Sequence, residues 1–241
     1  MILFPAIDLK DGQCVRLSQG DAERVTLYNS NPLNQAKFFE EQGIEWLHCI
    51  DLDGAFDGVS KNLSFINEIA KQTNLKIQFG GGVRDEEKVK HVLDLGVSNV
   101  IMGTSAFENT KLFTDLIIKY PNQISLALDI KNNKVSTKGW VKQIDLNIED
   151  LFSNLNTLPL NSVICTDVMR DGMKKGINIE MLENVMLLSK APCVASGGVA
   201  RIDDLINLKN KNYSNLKGVI TGKAIYDQEF EIVDALRVLR K

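Results

Sequence analysis

Ala6-Ile7-Asp8-Leu9-Lys10 returns as Ala127-Leu128-Asp129-Ile130-Lys131, 121 positions on from residue 8 to residue 129. Three more phrases recur in the same order. Ile50-Asp51-Leu52-Asp53-Gly54 has a looser echo in Cys165-Thr166-Asp167, 116 positions on from 51 to 167. Phe79-Gly80-Gly81-Gly82-Val83 returns as Ala195-Ser196-Gly197-Gly198-Val199, again 116 positions on from 81 to 197. Val100-Ile101-Met102-Gly103-Thr104 returns as Val219-Ile220-Thr221-Gly222-Lys223, 119 positions on from 103 to 222. The chain has 241 residues, so the offset is half of it, with halves of about 1–122 and 123–241. Two similar halves, each ending in two Gly-rich turns, should bind a ligand with two similar ends. One aspartate from each half should then lie near the ligand's middle.

The rest of the chain alternates short apolar runs with longer amphipathic ones. Strand-like runs start near Ile2, Trp46, Leu75, Asn99, Ile124, Ser162, Cys193 and Gly218. Helix-like runs follow at Asn31–Gln42, Leu63–Lys71, Glu86–Leu95, Thr110–Lys119, Asn147–Leu155, Glu180–Leu188, Ile202–Lys209 and Gln228–Leu239. Val89, Val92, Leu93 and Leu95 show the apolar spacing of one helix face. Such alternation means parallel β/α units. An open doubly wound sheet fits the same count. The halfway repeat favours closure, because two four-strand halves meeting edge to edge leave no exposed edge. The expected fold is therefore a single α/β domain, a (β/α)8 TIM barrel, for which about 250 residues is typical. Asp11-Gly12 and Lys131-Asn132-Asn133-Lys134 read as hairpin turns after the first and fifth strands. Both lie on the catalytic face of such a barrel.

Composition narrows the function. Charged residues are 24% of the chain and hydrophobic ones 44%, an ordinary balance for a soluble globular protein. A net charge of −3 argues against a nucleic-acid binder. It leaves room for small anions, which backbone N–H groups can bind. The start, Met1-Ile2-Leu3-Phe4-Pro5, lacks a basic n-region, and no uncharged run approaches a membrane span. A cytoplasmic protein is expected. Cys14, Cys49, Cys165 and Cys193 are widely spaced and read as thiols in a reducing compartment. His48 and His91 are the only histidines and neither has a candidate partner, so neither a metal site nor a histidine triad is expected. No helix face reads as unpartnered, so a monomer without an obligate protein partner is expected.

The residues that could carry chemistry sit at strand ends. Gly81 and Gly82 with Gly103-Thr104 follow strands three and four. Gly197 and Gly198 with Gly222-Lys223 follow strands seven and eight. Glycine lets the backbone approach an anion, and the helix start beyond it adds aligned N–H groups. One Gly-Gly alone would read as a sharp turn; four turns in matched pairs read as two phosphate sites. Arg84 could reach phosphate oxygens or be a solvated residue at a helix start. Asp8 and Asp129 end strands one and five, which face each other across an eight-stranded barrel. Two carboxylates there can serve as general base and general acid when their environments separate their pKa values. Asp51, Asp53, Thr166 and Asp167 could orient substrate or make Asx-turns, and the sequence does not separate these readings. Trp140, in the hairpin after strand five, could stack on a planar ring. Arg16, in the hairpin after strand one, could stack, bind a carboxamide or be a surface charge.

Taken together, several motifs resemble the histidine-pathway ProFAR isomerase family. They are Pro5-Ala6-Ile7-Asp8-Leu9-Lys10-Asp11-Gly12, Arg16-Leu17-Ser18-Gln19-Gly20-Asp21, Asp51-Leu52-Asp53-Gly54-Ala55 and Gly80-Gly81-Gly82-Val83-Arg84. Gly103-Thr104, Thr166-Asp167 with Arg170-Asp171-Gly172, Ser196-Gly197-Gly198-Val199 and Gly222-Lys223-Ala224 complete the set. The cyclase subunit of imidazole glycerol phosphate synthase shares the barrel, the aspartates and the paired phosphate sites. The segments Asp-Leu-Asp-Gly-Ala and Ile-Met-Gly-Thr-Ser favour the isomerase. A dual histidine and tryptophan pathway isomerase is a narrower variant. The resemblance implies a cofactor-free Amadori rearrangement of a bisphosphorylated aminoaldose to an aminoketose. It makes Asp129 the proton donor and Asp8 the proton acceptor. It makes Arg16, Trp140, Thr166 and Asp171 substrate contacts.

Overall fold

The computed structural model describes residues 1–18 and 21–240. β1 (Ile2–Lys10) folds back through β2 (Gln13–Ser18) and β3 (Asp21–Asn29) before α1 (Pro32–Glu41). β4 (Trp46–Asp51) leads into α2 (Leu52–Asp57) and α3 (Leu63–Gln72), and β5 (Lys76–Gly80) into α4 (Glu86–Asp94). β6 (Asn99–Met102) precedes α5 (Thr104–Glu108) and α6 (Thr110–Lys119). β7 (Ile124–Lys131) continues through the hairpin strands β8 (Lys134–Thr137) and β9 (Lys142–Ile144) to α7 (Ile148–Leu155). Then come β10 (Ser162–Asp167), α8 (Ile179–Leu188), β11 (Cys193–Ser196) and α9 (Ile202–Asn210). β12 (Leu216–Thr221), α10 (Lys223–Tyr226) and α11 (Ile232–Arg240) complete the chain.

Strands β1, β4, β5, β6, β7, β10, β11 and β12 pair in parallel in that order, and β12 returns to β1. The sheet is therefore a closed eight-stranded barrel with helices between its strands. The eight expected strands and the eight longer helices are all present. The last helix starts at Ile232, four residues later than the pattern placed it. Three short helices, α2, α5 and α10, were not read from sequence, because runs of four to six residues carry no periodic signal. The Gln19-Gly20 part of the family motif lies outside the described residues.

Strand alternation fixes which side chains face the barrel axis. In β1, Leu3, Ile7 and Leu9 join the large core under the helices, while Phe4 and Ala6 pack inside with Ile101, Ile164, Val194 and Ile220. Asp8 is the next inward position. On β7, Ala127 packs against the inner cluster and Asp129 follows it by two. The apolar plug thus fills the barrel interior, and the two aspartates stand above it.

Candidate active site

Asp8 is held by its own hairpin. Asp11 and Gly12 both have positive φ, 48° and 77°, the geometry of a type I′ turn. The turn sets Val15 opposite Asp8 and carries Arg16 back over the mouth. Arg16 Nη1 donates to Asp8 Oδ2 at 2.6 Å, and Nη2 donates to the Ala6 carbonyl at 3.0 Å. The guanidinium also lies over the Tyr226 ring, 5.7 Å from its centroid. Its planar group fills the space beside Gly222, where any Cβ would overlap it. Arg16 is therefore a half-buried ion-pair partner, and the surface-charge reading falls. Burial pushes the Asp8 carboxyl up from its ordinary value, and the charge and hydrogen bond of Arg16 oppose that rise.

Asp129 has a different neighbourhood. The indole Nε1 of Trp140 donates to Asp129 Oδ2 at 2.7 Å. Trp140 is thus engaged through its nitrogen with the aspartate, a contact the stacking expectation did not contain. It sits in a run of three residues with positive φ, Lys138 at 56°, Gly139 at 63° and Trp140 at 72°. The Lys138 amide donates to Thr104 Oγ1 at 2.8 Å, which ties this turn to the start of α5. Burial raises the Asp129 pKa, and hydrogen bonds from Trp140 and Thr166 work against it. Its partners are neutral where Asp8 has a cation.

Asp171, in the loop after β10, interacts electrostatically with Asp8, Asp129 and Arg16. Burial raises its pKa from 3.8 to about 6, and both aspartates add to the rise. A raised carboxyl pKa means that the folded state binds the proton more tightly than the unfolded chain. Stability is then lost as pH climbs from about 4 through about 6. The side chain is half-buried, so solvent screening cuts the effect to about 1 kcal/mol. Asp171→Asn should raise the melting temperature at pH 8 by about 2–4 °C and leave it unchanged at pH 4. Thermal melts at the two pH values check this; an equal shift at both would assign the gain to packing.

The Gly-rich turns occupy matching places. Gly197, Gly198, Gly222 and Lys223 line one pocket together with Arg16, Asp171 and Lys174. Gly103 and Gly222 cap α5 and α10 with closely similar backbone angles, φ −111° and −122°, ψ −102° and −91°. The first N–H groups of each helix have no partner within it. Arg84 is exposed, and its guanidinium lies near Gly58.

The remaining strand-end acids are structural. Asp51 caps α2 through Gly54 N at 3.0 Å and accepts from Asn62 Nδ2 at 2.6 Å. Asp53, expected to end strand two, lies inside α2 and accepts from Asn62 Nδ2 and the Asp11 amide. Asp167 accepts from Met169 N, Arg170 N and Asn178 Nδ2. Asn62 was missed; Asn178 reads from sequence as the N-cap of its helix, which it is, but its bond to Asp167 was missed. The signal was present: the two asparagines stand 116 positions apart, the offset that relates Asp51 to Asp167 and Gly81 to Gly197. His48 also has a partner after all, since its Nδ1 lies 3.0 Å from Gln78 Nε2. Burial pushes its pKa down to about 3, so the ring is neutral, Nδ1 accepts and Nε2 carries the proton.

A closed β/α barrel with two inward carboxylates at its mouth, one paired with a cation and one with neutral donors, defines a barrel enzyme. The chain belongs to the histidine biosynthesis protein family, whose model matches residues 2–231. It is 44% identical over 237 residues to 1-(5-phosphoribosyl)-5-((5-phosphoribosylamino)methylideneamino) imidazole-4-carboxamide isomerase of Nautilia profundicola, covering 98% of this chain and 99% of the relative. The protein of the same name from Maridesulfovibrio salexigens is 41% identical over 236 residues, 98% of each chain. A relative from Ruegeria sp., named isomerase 2 of that reaction, is 42% identical over 240 residues, all of both chains. No helix among the described residues is long and apolar enough to cross a membrane.

Proposed function

We propose that the chain catalyses the isomerisation for which these relatives are named, as an Amadori rearrangement that converts ProFAR, an aminoaldose, to its aminoketose in histidine biosynthesis. The observation that carries this reading is the unlike pairing of two half-buried aspartates on opposite strands. A full cation beside Asp8 favours its ionised form, the state a general base needs. Only neutral donors oppose the effect of burial on Asp129, which leaves its protonated form easier to reach. The indole N–H of Trp140 occupies Oδ2 of that carboxyl.

In this mechanism Asp129 protonates the ribose ring oxygen. The C1′–O4′ bond breaks towards that oxygen while the nitrogen lone pair forms C1′=N, giving an open-chain Schiff base. Asp8 then removes the proton from C2′, and the electron pair moves to make an enolamine. Proton return to C1′ and loss of the hydroxyl proton give the ketone. Atoms balance without an external oxidant or reductant. The turns at Gly81-Gly82 with Gly103-Thr104, and at Gly197-Gly198 with Gly222-Lys223, would hold the two phosphates, with Arg84 near the first. Thr166 and Asp171 would contact the substrate between them.

The purified protein, without ammonia or a glutaminase partner, should convert the aminoaldose to the aminoketose, followed by absorbance. An intact substrate after prolonged incubation with folded protein would defeat the proposal. Turnover to a cyclised imidazole product with added ammonia would point to the cyclase instead.

A further inference from the structure

Asn62 and Asn178 stand in equivalent places in the two halves of the chain. Each lies 11 residues after the aspartate that ends a barrel strand and donates its side-chain amide to that aspartate at 2.6 Å. Each immediately precedes a helix, α3 and α8. They differ in the use of the side-chain carbonyl. Asn178 Oδ1 accepts from Met181 N, an ordinary N-cap bond. Asn62 makes no such bond, and α3 starts without a side-chain cap. Its Oδ1 instead accepts from the Gly12 amide at 2.9 Å, across to the tip of the β1–β2 hairpin.

That tip is fixed twice. The Asp11 amide donates to Asp53 Oδ2 at 2.7 Å, and the same oxygen accepts from Asn62 Nδ2 at 2.8 Å. The corresponding tip of the second hairpin, Asn132-Asn133, is exposed and makes no hydrogen bond to another element among the described residues. Of the two tips, only that of the hairpin carrying Arg16 onto Asp8 is held by another element among the described residues.

We infer that Asn62 is a positioning residue for the reaction: by pinning the tip of the first hairpin it holds Arg16 on Asp8. The inference rests on the reading of Asp8 as the general base. Asp8 faces Arg16 and Cys14 from β2, Cys49 from β4, Tyr226 from α10 and Asp171 from the loop after β10. Of these, Arg16 alone opposes the effect of burial on the carboxyl. Release of the hairpin withdraws that cation, so the carboxylate becomes harder to ionise and the base is lost from low pH upward.

Asn62→Ala should lower kcat/KM about tenfold and move the acid limb of its pH profile upward. Amide exchange at Gly12 should quicken in the same variant. Asn62→Ser serves if the alanine variant does not fold. The control is Asn156→Ala, near the opposite end of the barrel, which loses two backbone hydrogen bonds and should leave the limb in place. In an Asp8→Asn background, Asn62→Ala should cost no further turnover. An acid limb unmoved or moved downward, or the same shift from Asn156→Ala, would overturn the inference. If Asp8→Asn itself keeps full activity, the failure lies with the role of Asp8 and not with Asn62.

Discussion

Asp8→Asn should lose about 10²-fold or more in kcat while the barrel stays folded, the usual scale for removing an acid–base group. An amide keeps the shape of the carboxyl and offers Arg16 an oxygen, so the hairpin need not move. What it cannot do is take a proton from C2′. Asp129→Asn should cost a similar factor, because an amide cannot protonate the ring oxygen. The two variants should differ in pH profile. The acid limb of kcat/KM reports ionisation of the base and the basic limb deprotonation of the acid. Residual activity of Asp8→Asn should therefore lose the acid limb, and that of Asp129→Asn the basic limb. A variant with near wild-type kcat would remove that residue from the mechanism, and exchanged limbs would reverse the two roles.

The strand-end aspartates and the glycine doublets were legible because each is a short local phrase that occurs twice. The barrel was legible for the same reason, together with the alternation that sends Phe4, Ala6 and Asp8 to one side of β1 and Leu3, Ile7 and Leu9 to the other. The partners of the aspartates were less so. Arg16 lies eight residues from Asp8 and Trp140 eleven from Asp129, but only the hairpin geometry says that one donates to each carboxylate. The network behind the site left still less trace. Asn62 reaches Gly12 across 50 residues of chain, and neither periodicity nor turn chemistry encodes such a contact. Asp51, Asp53 and Asp167 stayed open between orienting substrate and making Asx-turns, because a carboxylate that caps a turn and one that faces a ligand are the same residue type. What separates them is the company of backbone N–H groups and Asn amides, which occupy these three.

The glycine doublets make a second demand on the chain that has nothing to do with ligands, and it sets the largest expected loss of stability. Gly81 has φ of +101°, and a Cβ there would overlap the Asp51 carbonyl oxygen while standing 2.7 Å from the Asp51 nitrogen. Gly197 repeats the arrangement, with φ of +84° and its Cβ 2.7 Å from the Asp167 carbonyl oxygen. The obstacle in both is backbone at the end of a neighbouring strand, which cannot swing aside as a side chain can. Left-handed strain costs of order 1–3 kcal/mol and forced overpacking about as much again. Gly81→Ala and Gly197→Ala should therefore each lose more than about 3 kcal/mol, or roughly 10 °C in melting temperature. Gly103→Ala is the contrast, since its φ is −111° and its Cβ would meet Ala127 Cβ at an ordinary 3.5 Å. That variant should lose less melting temperature than either of the other two. Any fall in its substrate affinity would then report crowding at the α5 start and not misfolding. A melting temperature of Gly81→Ala within about 2 °C of wild type would show that the strand end yields, and would leave ligand approach as the reason for glycine there.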